Sequence, residues 1–158
     1  MEAHRSFSEN VARKQSSSLL FSLWMTPVTI LFYAFLLGWI GPERGMNIAY
    51  YVIASVMAVF QLVLSWVPAS TGWKLLLHNI TSYGLVLLMP VLLFVLVLFS
   101  SPALSILQLV LLLSFVLYTV VLLFLFFFRL DLRAKFLQFQ VSLMIFVWLA
   151  ILAAGLKI

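Results

Sequence analysis

Few side chains in this 158-residue sequence can do ionic chemistry. The acids are Glu2, Glu9, Glu43 and Asp131, the histidines are His4 and His78, and cysteine is absent. A metal site needs clustered His, Cys or carboxylate ligands. His4 and His78 stand far apart, and no HExxH or DxxD pattern accompanies either. No glycine-rich phosphate loop is present. Ser70, His78 and Asp131 contain the types needed for a nucleophile, a base and an orienting carboxylate, but almost any chain of this size supplies such a trio. No catalytic, cofactor-binding or metal-ligating residue is therefore assigned, no cofactor is expected, and the chain reads as non-enzymatic.

The elements that hold these residues are apolar. Hydrophobic residues make up 66% of the chain and charged residues 8%, and the mean hydropathy is +1.24. A soluble domain carries about 25% charged residues, so lipid is the expected solvent for most of this surface. Five runs reach the roughly 20 apolar residues that cross a bilayer: 19–40, 48–67, 83–100, 102–128 and 137–156. Their apolar character on every face predicts helices; barrel strands would alternate. The expected fold is all-α, a polytopic bundle of about five transmembrane helices. Residues 1–18 form a cytoplasmic tail and 19–158 a single membrane domain. Gly41-Pro42 and Gly45 predict the first turn, Pro68 ends the second run, and Ser101 with Pro102 suits a cap and first turn for the fourth. The fourth run is long, about 40 Å as a helix, which implies tilt or a cytoplasmic projection.

Lys and Arg set the orientation. With five spans and the N-terminus inside, Arg5, Arg13, Lys14, Lys74, Arg129, Arg133 and Lys135 are cytoplasmic, and Arg44 and Lys157 lie on the far side. Seven against two is a strong positive-inside bias and predicts N-in, C-out. The first run is too long for a signal peptide and lacks a small-x-small cleavage site, so it reads as a mature helix. Trp39, Trp66 and Trp73 fall near run boundaries, where indole prefers to sit. Trp24 and Trp148 lie further in. The net charge of +5 is explained by topology, and without a basic stripe or polar domain no nucleic-acid partner is expected. Short outer turns fit a bacterial inner membrane.

No ionisable residue lies inside a run except at its edges. Such groups mark proton relays, ion paths and voltage sensors, so a proton-coupled transporter, a pump or a charge-lined channel is disfavoured. Four features remain. The intramembrane amides Gln61 and Gln108 either bond across helices or line a polar path; their depths, toward opposite sides of centre, predict separate contacts. Pro27 and Pro90 lie inside helices and imply bends or hinges. Ala34/Gly38, Ala54/Ala58 and Ala150/Ala154 have small-xxx-small spacing, which lets backbones approach closely in a bundle or against a partner. Finally, Arg129, Asp131, Arg133 and Lys135 form a cytoplasmic loop that suits headgroup anchoring or partner docking. Asp131 and Lys135 have helical ion-pair spacing. Trp73 and Lys74 sit on a segment, 71–78, that would lie flat at the interface beside the loop.

In length and span count the chain resembles the tryptophan-rich translocator-type sensory proteins. That family's tryptophan- and proline-rich order is not found here, so no residue role is carried over. Small membrane immunity and entry-exclusion proteins share its hydrophobic, compact profile, a likeness of type that does not establish function. The expected function is a non-enzymatic membrane protein that works by contact: an accessory subunit, an assembly factor, or an inhibitor of exclusion or immunity type. Its partners would be lipids and either another membrane protein or copies of itself. The alternative is a carrier or channel component for an apolar or neutral solute, with Gln61, Pro90, Ser55 and Ser114 lining a cavity. A lipid-modifying enzyme is the third.

Overall fold

The computed structural model describes residues 15–67, 71–101 and 103–128. These residues are helical, with no strand among them. Helix α1 (Gln15–Phe35) continues into a π-helical segment, Leu36–Ile40, and closes with the turn Gly41–Glu43. Helix α2 is Ile48–Trp66, α3 is Trp73–Phe99 and α4 is Ile106–Phe128. Ser18–Glu43, Ile48–Trp66 and Trp73–Phe99 are each long and apolar enough to cross a membrane. The run 137–156, with Trp148, Ala150 and Ala154, lies outside the described residues.

Helix α2 packs between α1 and α3, and α4 packs on α3. Without a hydrophobic drive between helices in lipid, such packing rests on van der Waals fit and hydrogen bonds. Tyr50, Ala54, Met57 and Ser65 form the buried stripe of α2 at helical spacing. Leu36 and Ile40 from the π segment, and Leu92, Leu93 and Leu96 from α3, complete the core. Large apolar side chains, such as Leu31, Val59, Phe94 and Leu117, are exposed on the outside, the arrangement expected when lipid is the solvent. Glycine permits two close approaches: a Cβ at Gly84 of α3 would overlap the Phe60 ring of α2, and one at Gly41 would overlap the Tyr51 ring.

Three boundaries differ from the sequence expectation. The Gly41-Pro42 pair does not end the first helix: the helical turn Gly41–Glu43 follows directly on the π segment, with Pro42 inside it. The chain reverses at Gly45 instead, in the left-handed region at φ 59°. Met46 N–H donates to Gly41 C=O at 2.9 Å and Gly45 N–H to Pro42 C=O at 3.1 Å, the Schellman pattern that closes a helix. The segment 71–78 does not form a separate interfacial helix; residues 73–78 are the first part of α3, a continuous 27-residue helix about 40 Å long. Polar residues such as His78 and Thr81 made it look unlike a span, yet both are buried against the bundle.

The third difference is the start of α4. It begins at Ile106, beyond Pro102. Ser105 Oγ accepts the Gln108 N–H at 3.3 Å, and Gln108 Oε1 accepts the Ser105 N–H at 2.9 Å. This reciprocal pair is a capping box, Ser-x-x-Gln. Ser101 instead ties two turns together, its N–H donating to the Arg44 carbonyl at 2.7 Å.

Candidate functional site

The polar residues of the bundle gather at its two ends. At the first end α1 begins, α2 stops and α3 begins. Here hydroxyls join α1 to α2. Trp66 Nε1 donates to Thr26 Oγ1 at 3.0 Å, and Thr26 Oγ1 donates to Ser22 C=O at 2.7 Å. The Ser22 hydroxyl donates to the Ser65 carbonyl on α2 and to Ser18 C=O. Ser65 in turn donates to Gln61 C=O at 2.8 Å. His78 Nδ1 lies 2.9 Å from Val67 C=O. A carbonyl only accepts, so Nδ1 carries the proton, and the ring ties α3 to the end of α2. Thr81 Oγ1 donates back to Leu77 C=O at 2.9 Å and to His78 C=O at 3.1 Å.

Ser22, Ser65, His78, Thr81 and Ser82 are all buried, whereas Trp24, Trp66 and Trp73 are exposed around them. The Thr26–Trp66 bond brings Trp24, two residues earlier on α1, close to the level of Trp66. Trp24 therefore joins the indole belt that the sequence alone did not place. Lys74 Nζ sits 5.9 Å from the centre of the Trp73 ring, within cation–π reach. Thr29, one turn along α1 from Thr26 and 3% exposed, has a buried hydroxyl with no hydrogen-bond partner.

At the opposite end α1 stops, α2 begins, α3 stops and α4 begins. Main-chain bonds dominate there. Asn47 Oδ1 accepts the Tyr50 N–H at 3.2 Å and caps α2. Tyr50 Oη donates to Leu36 C=O at 3.1 Å, and the same carbonyl receives the Gly41 N–H. The Ser101–Arg44 bond joins the α1–α2 turn to the α3–α4 turn. Arg44 is 5% exposed, and Glu43, Arg44, Ser100 and Gln108 all have interaction partners. A buried guanidinium of this kind is a structural element of the turn, quite unlike a cation reaching into headgroups.

The sequence-selected residues fall in several places. Gln108 is buried, at the head of α4, and Gln61 is half-buried toward the tail of α2. The two amides occupy opposite halves of the bundle. Trp73 and Lys74 are exposed together at the start of α3. Ser55 and Ser114 are exposed on α2 and α4, and Pro90 is half-buried inside α3. Arg129, Asp131, Arg133, Lys135 and Ser70 lie outside the described residues. Of the small-residue pairs, Ala54 is fully buried and Ala58 packs on the core, while Ala34 and Gly38 are exposed.

Sequence reading missed the Ser22–Ser65 and Thr26–Trp66 links, Tyr50 as the partner of Leu36, and the burial of Arg44. Only the capping box carried a legible signal, in the Ser105-x-x-Gln108 spacing. Among the described residues no group of three His, Cys, Asp or Glu is arranged to hold a metal ion. No protein-family model, curated protein or solved structure matches the chain.

Proposed function

We propose that this is a non-enzymatic integral membrane protein of the bacterial inner membrane that works by contact. It would serve as an accessory subunit, an assembly factor, or an inhibitor of exclusion or immunity type within a larger membrane assembly. Five spans with a cytoplasmic N-terminus and a far-side C-terminus accompany this reading. Their support is the seven-to-two distribution of Lys and Arg.

The observation that carries the proposal is how the bundle uses its polar side chains. Ser22, Ser65, His78 and Thr81 bond to carbonyls of the chain itself, and Gln108 caps a helix. The Ser22 and His78 bonds join neighbouring helices and the others close on their own helix, so these groups are spent inside the bundle rather than offered to a solute. Contact is then left to the outer faces. On the cytoplasmic side of the proposed topology, exposed Trp73 and Lys74 stand at the same end of the bundle as the tail of α4. The loop with Arg129, Asp131, Arg133 and Lys135 follows that tail in sequence.

The test is the double variant Arg133→Glu, Lys135→Glu. Five of the seven cytoplasmic cations remain, so insertion is retained. Partner binding at this face is lost, since like-charge juxtaposition costs several kcal/mol across an interface. Correct insertion with full function would show that the loop is an anchor only. A second reading, a carrier component for a neutral solute, is favoured by one observation: the unpartnered hydroxyl of Thr29, on the α1 face that also carries Ser22. A neutral solute protected from release by Thr29 but not by Thr29→Val would support that reading.

A further inference from the structure

Among the described residues the charged side chains are Glu43, Arg44 and Lys74. Arg44 is buried and Glu43 half-buried, both in the turn that follows α1. Lys74 is exposed, at the opposite end of the bundle. Its ammonium lies against the Trp73 ring, and the Glu43 carboxylate is the length of the bundle away. Lys74 also occupies the first turn of α3, where a cation opposes the helix dipole instead of complementing it. Helix stability therefore gives no reason for a lysine at this position.

Hydrogen bonds fix the depth of this cation. The His78 ring meets the Val67 carbonyl, which sets His78 level with the end of α2 and so with Trp66. Lys74 precedes His78 by four residues, about one helical turn, and stands about 6 Å further out. Trp66 is held by Thr26, with Trp24 near the same level. Trp24, Trp66 and Trp73 are all exposed, and toward the middle of α3 the exposed residues include Ile80, Leu87 and Val91. From the centre outward the surface thus runs aliphatic, indole, ammonium. A bilayer leaflet has the same order: hydrocarbon, interface, headgroup. The far end lacks the last step. Trp39 is exposed there, but Arg44 is turned into the bundle.

We propose that the end of the bundle bearing Trp24, Trp66, Trp73 and Lys74 binds anionic phospholipid in preference to neutral lipid, with the indoles at the interface and the Lys74 ammonium on the negative headgroup. Charge complementarity carries the assignment: an exposed cation, with no described carboxylate at its end, stands at the depth where a lipid phosphate lies. The inference goes beyond contact with a protein partner and requires only that the bundle lies in a membrane. The opposite end, with no exposed cation among the described residues, has no such preference.

The tryptophans themselves report the lipid beside them. Full-length variants that keep only Trp73 or only Trp39, with the other four tryptophans changed to Phe, are reconstituted in phosphatidylcholine bilayers. A fixed fraction of the lipid is replaced by phosphatidylglycerol or phosphatidylcholine with brominated chains, which quench an indole they touch. Trp73 should select phosphatidylglycerol about fivefold, the worth of one basic residue at an anionic surface. Lys74→Gln should remove that preference, Lys74→Arg should keep it, and Trp39 should show none. Equal quenching of Trp73 by the two lipids would overturn the proposal. Quenching by neither would overturn it by showing that protein covers the site. An unchanged preference in Lys74→Gln, or the same preference at Trp39, would overturn it by assigning the anionic lipid to other cations. A second measurement keeps all five tryptophans: native mass spectrometry from mixed phosphatidylglycerol–phosphatidylcholine micelles. It should find less phosphatidylglycerol retained by Lys74→Gln than by the native protein; equal retention would overturn the proposal. Neither readout involves a protein partner, so failure here leaves the contact reading standing.

Discussion

The two ends of the bundle are fastened by different chemistry. Where α1 begins, α2 ends and α3 begins, the fasteners are side chains: Ser22 to Ser65, Trp66 to Thr26 and His78 to Val67. Where Arg44 meets Ser101, they are mainly backbone groups and caps: the Schellman closure at Gly45, the Ser101–Arg44 bond and the Ser105–Gln108 box. A side-chain hydrogen bond between membrane helices is worth about 0.6 kcal/mol on average, because the separated helices find other partners. A backbone conformation or a cap has no such substitute. The first end should therefore tolerate change and the opposite end should not.

Gly41→Leu should break the locked end most severely. A Cβ there would lie 2.7 Å from the Tyr51 hydroxyl, and the rest of a leucine side chain has to enter packed space. A loss of about 3 kcal/mol is expected in reversible unfolding in detergent micelles, at the upper range for overpacking. Gly45→Ala is expected to cost about 1–2 kcal/mol, the penalty for placing a Cβ at its positive φ.

The amides sharpen the contrast. Gln108→Leu removes one half of the capping box and should cost about 1 kcal/mol, whereas Gln61→Leu should cost about 0.6 kcal/mol or less. Both proteins should insert normally. Equal and large losses at the two positions would erase the distinction between the ends. Complete loss of function at normal abundance from Gln61→Leu alone would instead favour the carrier reading.

What could be read from sequence follows from the solvent. Lipid makes every face of a span apolar, so the runs 19–40 and 48–67 announce their presence clearly. The same uniformity hides which face of a helix is inward. Ala54 and Ala34 look alike in sequence, yet one is fully buried and the other exposed. The start of α3 was obscured for the opposite reason. His78, Thr81 and Ser82 lower the local hydropathy, and only the packing shows them turned into the bundle. Arg44 counts as a far-side cation by its position in the chain, but nothing in the spacing of charges announces a buried side chain. Ser101-Pro102 offered a plausible helix start and drew attention from Ser105-x-x-Gln108, four residues on, which is the cap the structure uses.

In the proposed function the protein acts by contact and its internal polar groups serve to hold the bundle together. Native mass spectrometry of the protein released from its own membranes in mild detergent tests this directly. The account predicts a defined stoichiometric complex, with another membrane protein or with further copies of the chain, that dissociates in the Arg133→Glu, Lys135→Glu variant. A monomer that retains a neutral or apolar small molecule, in both the native protein and that variant, would contradict it.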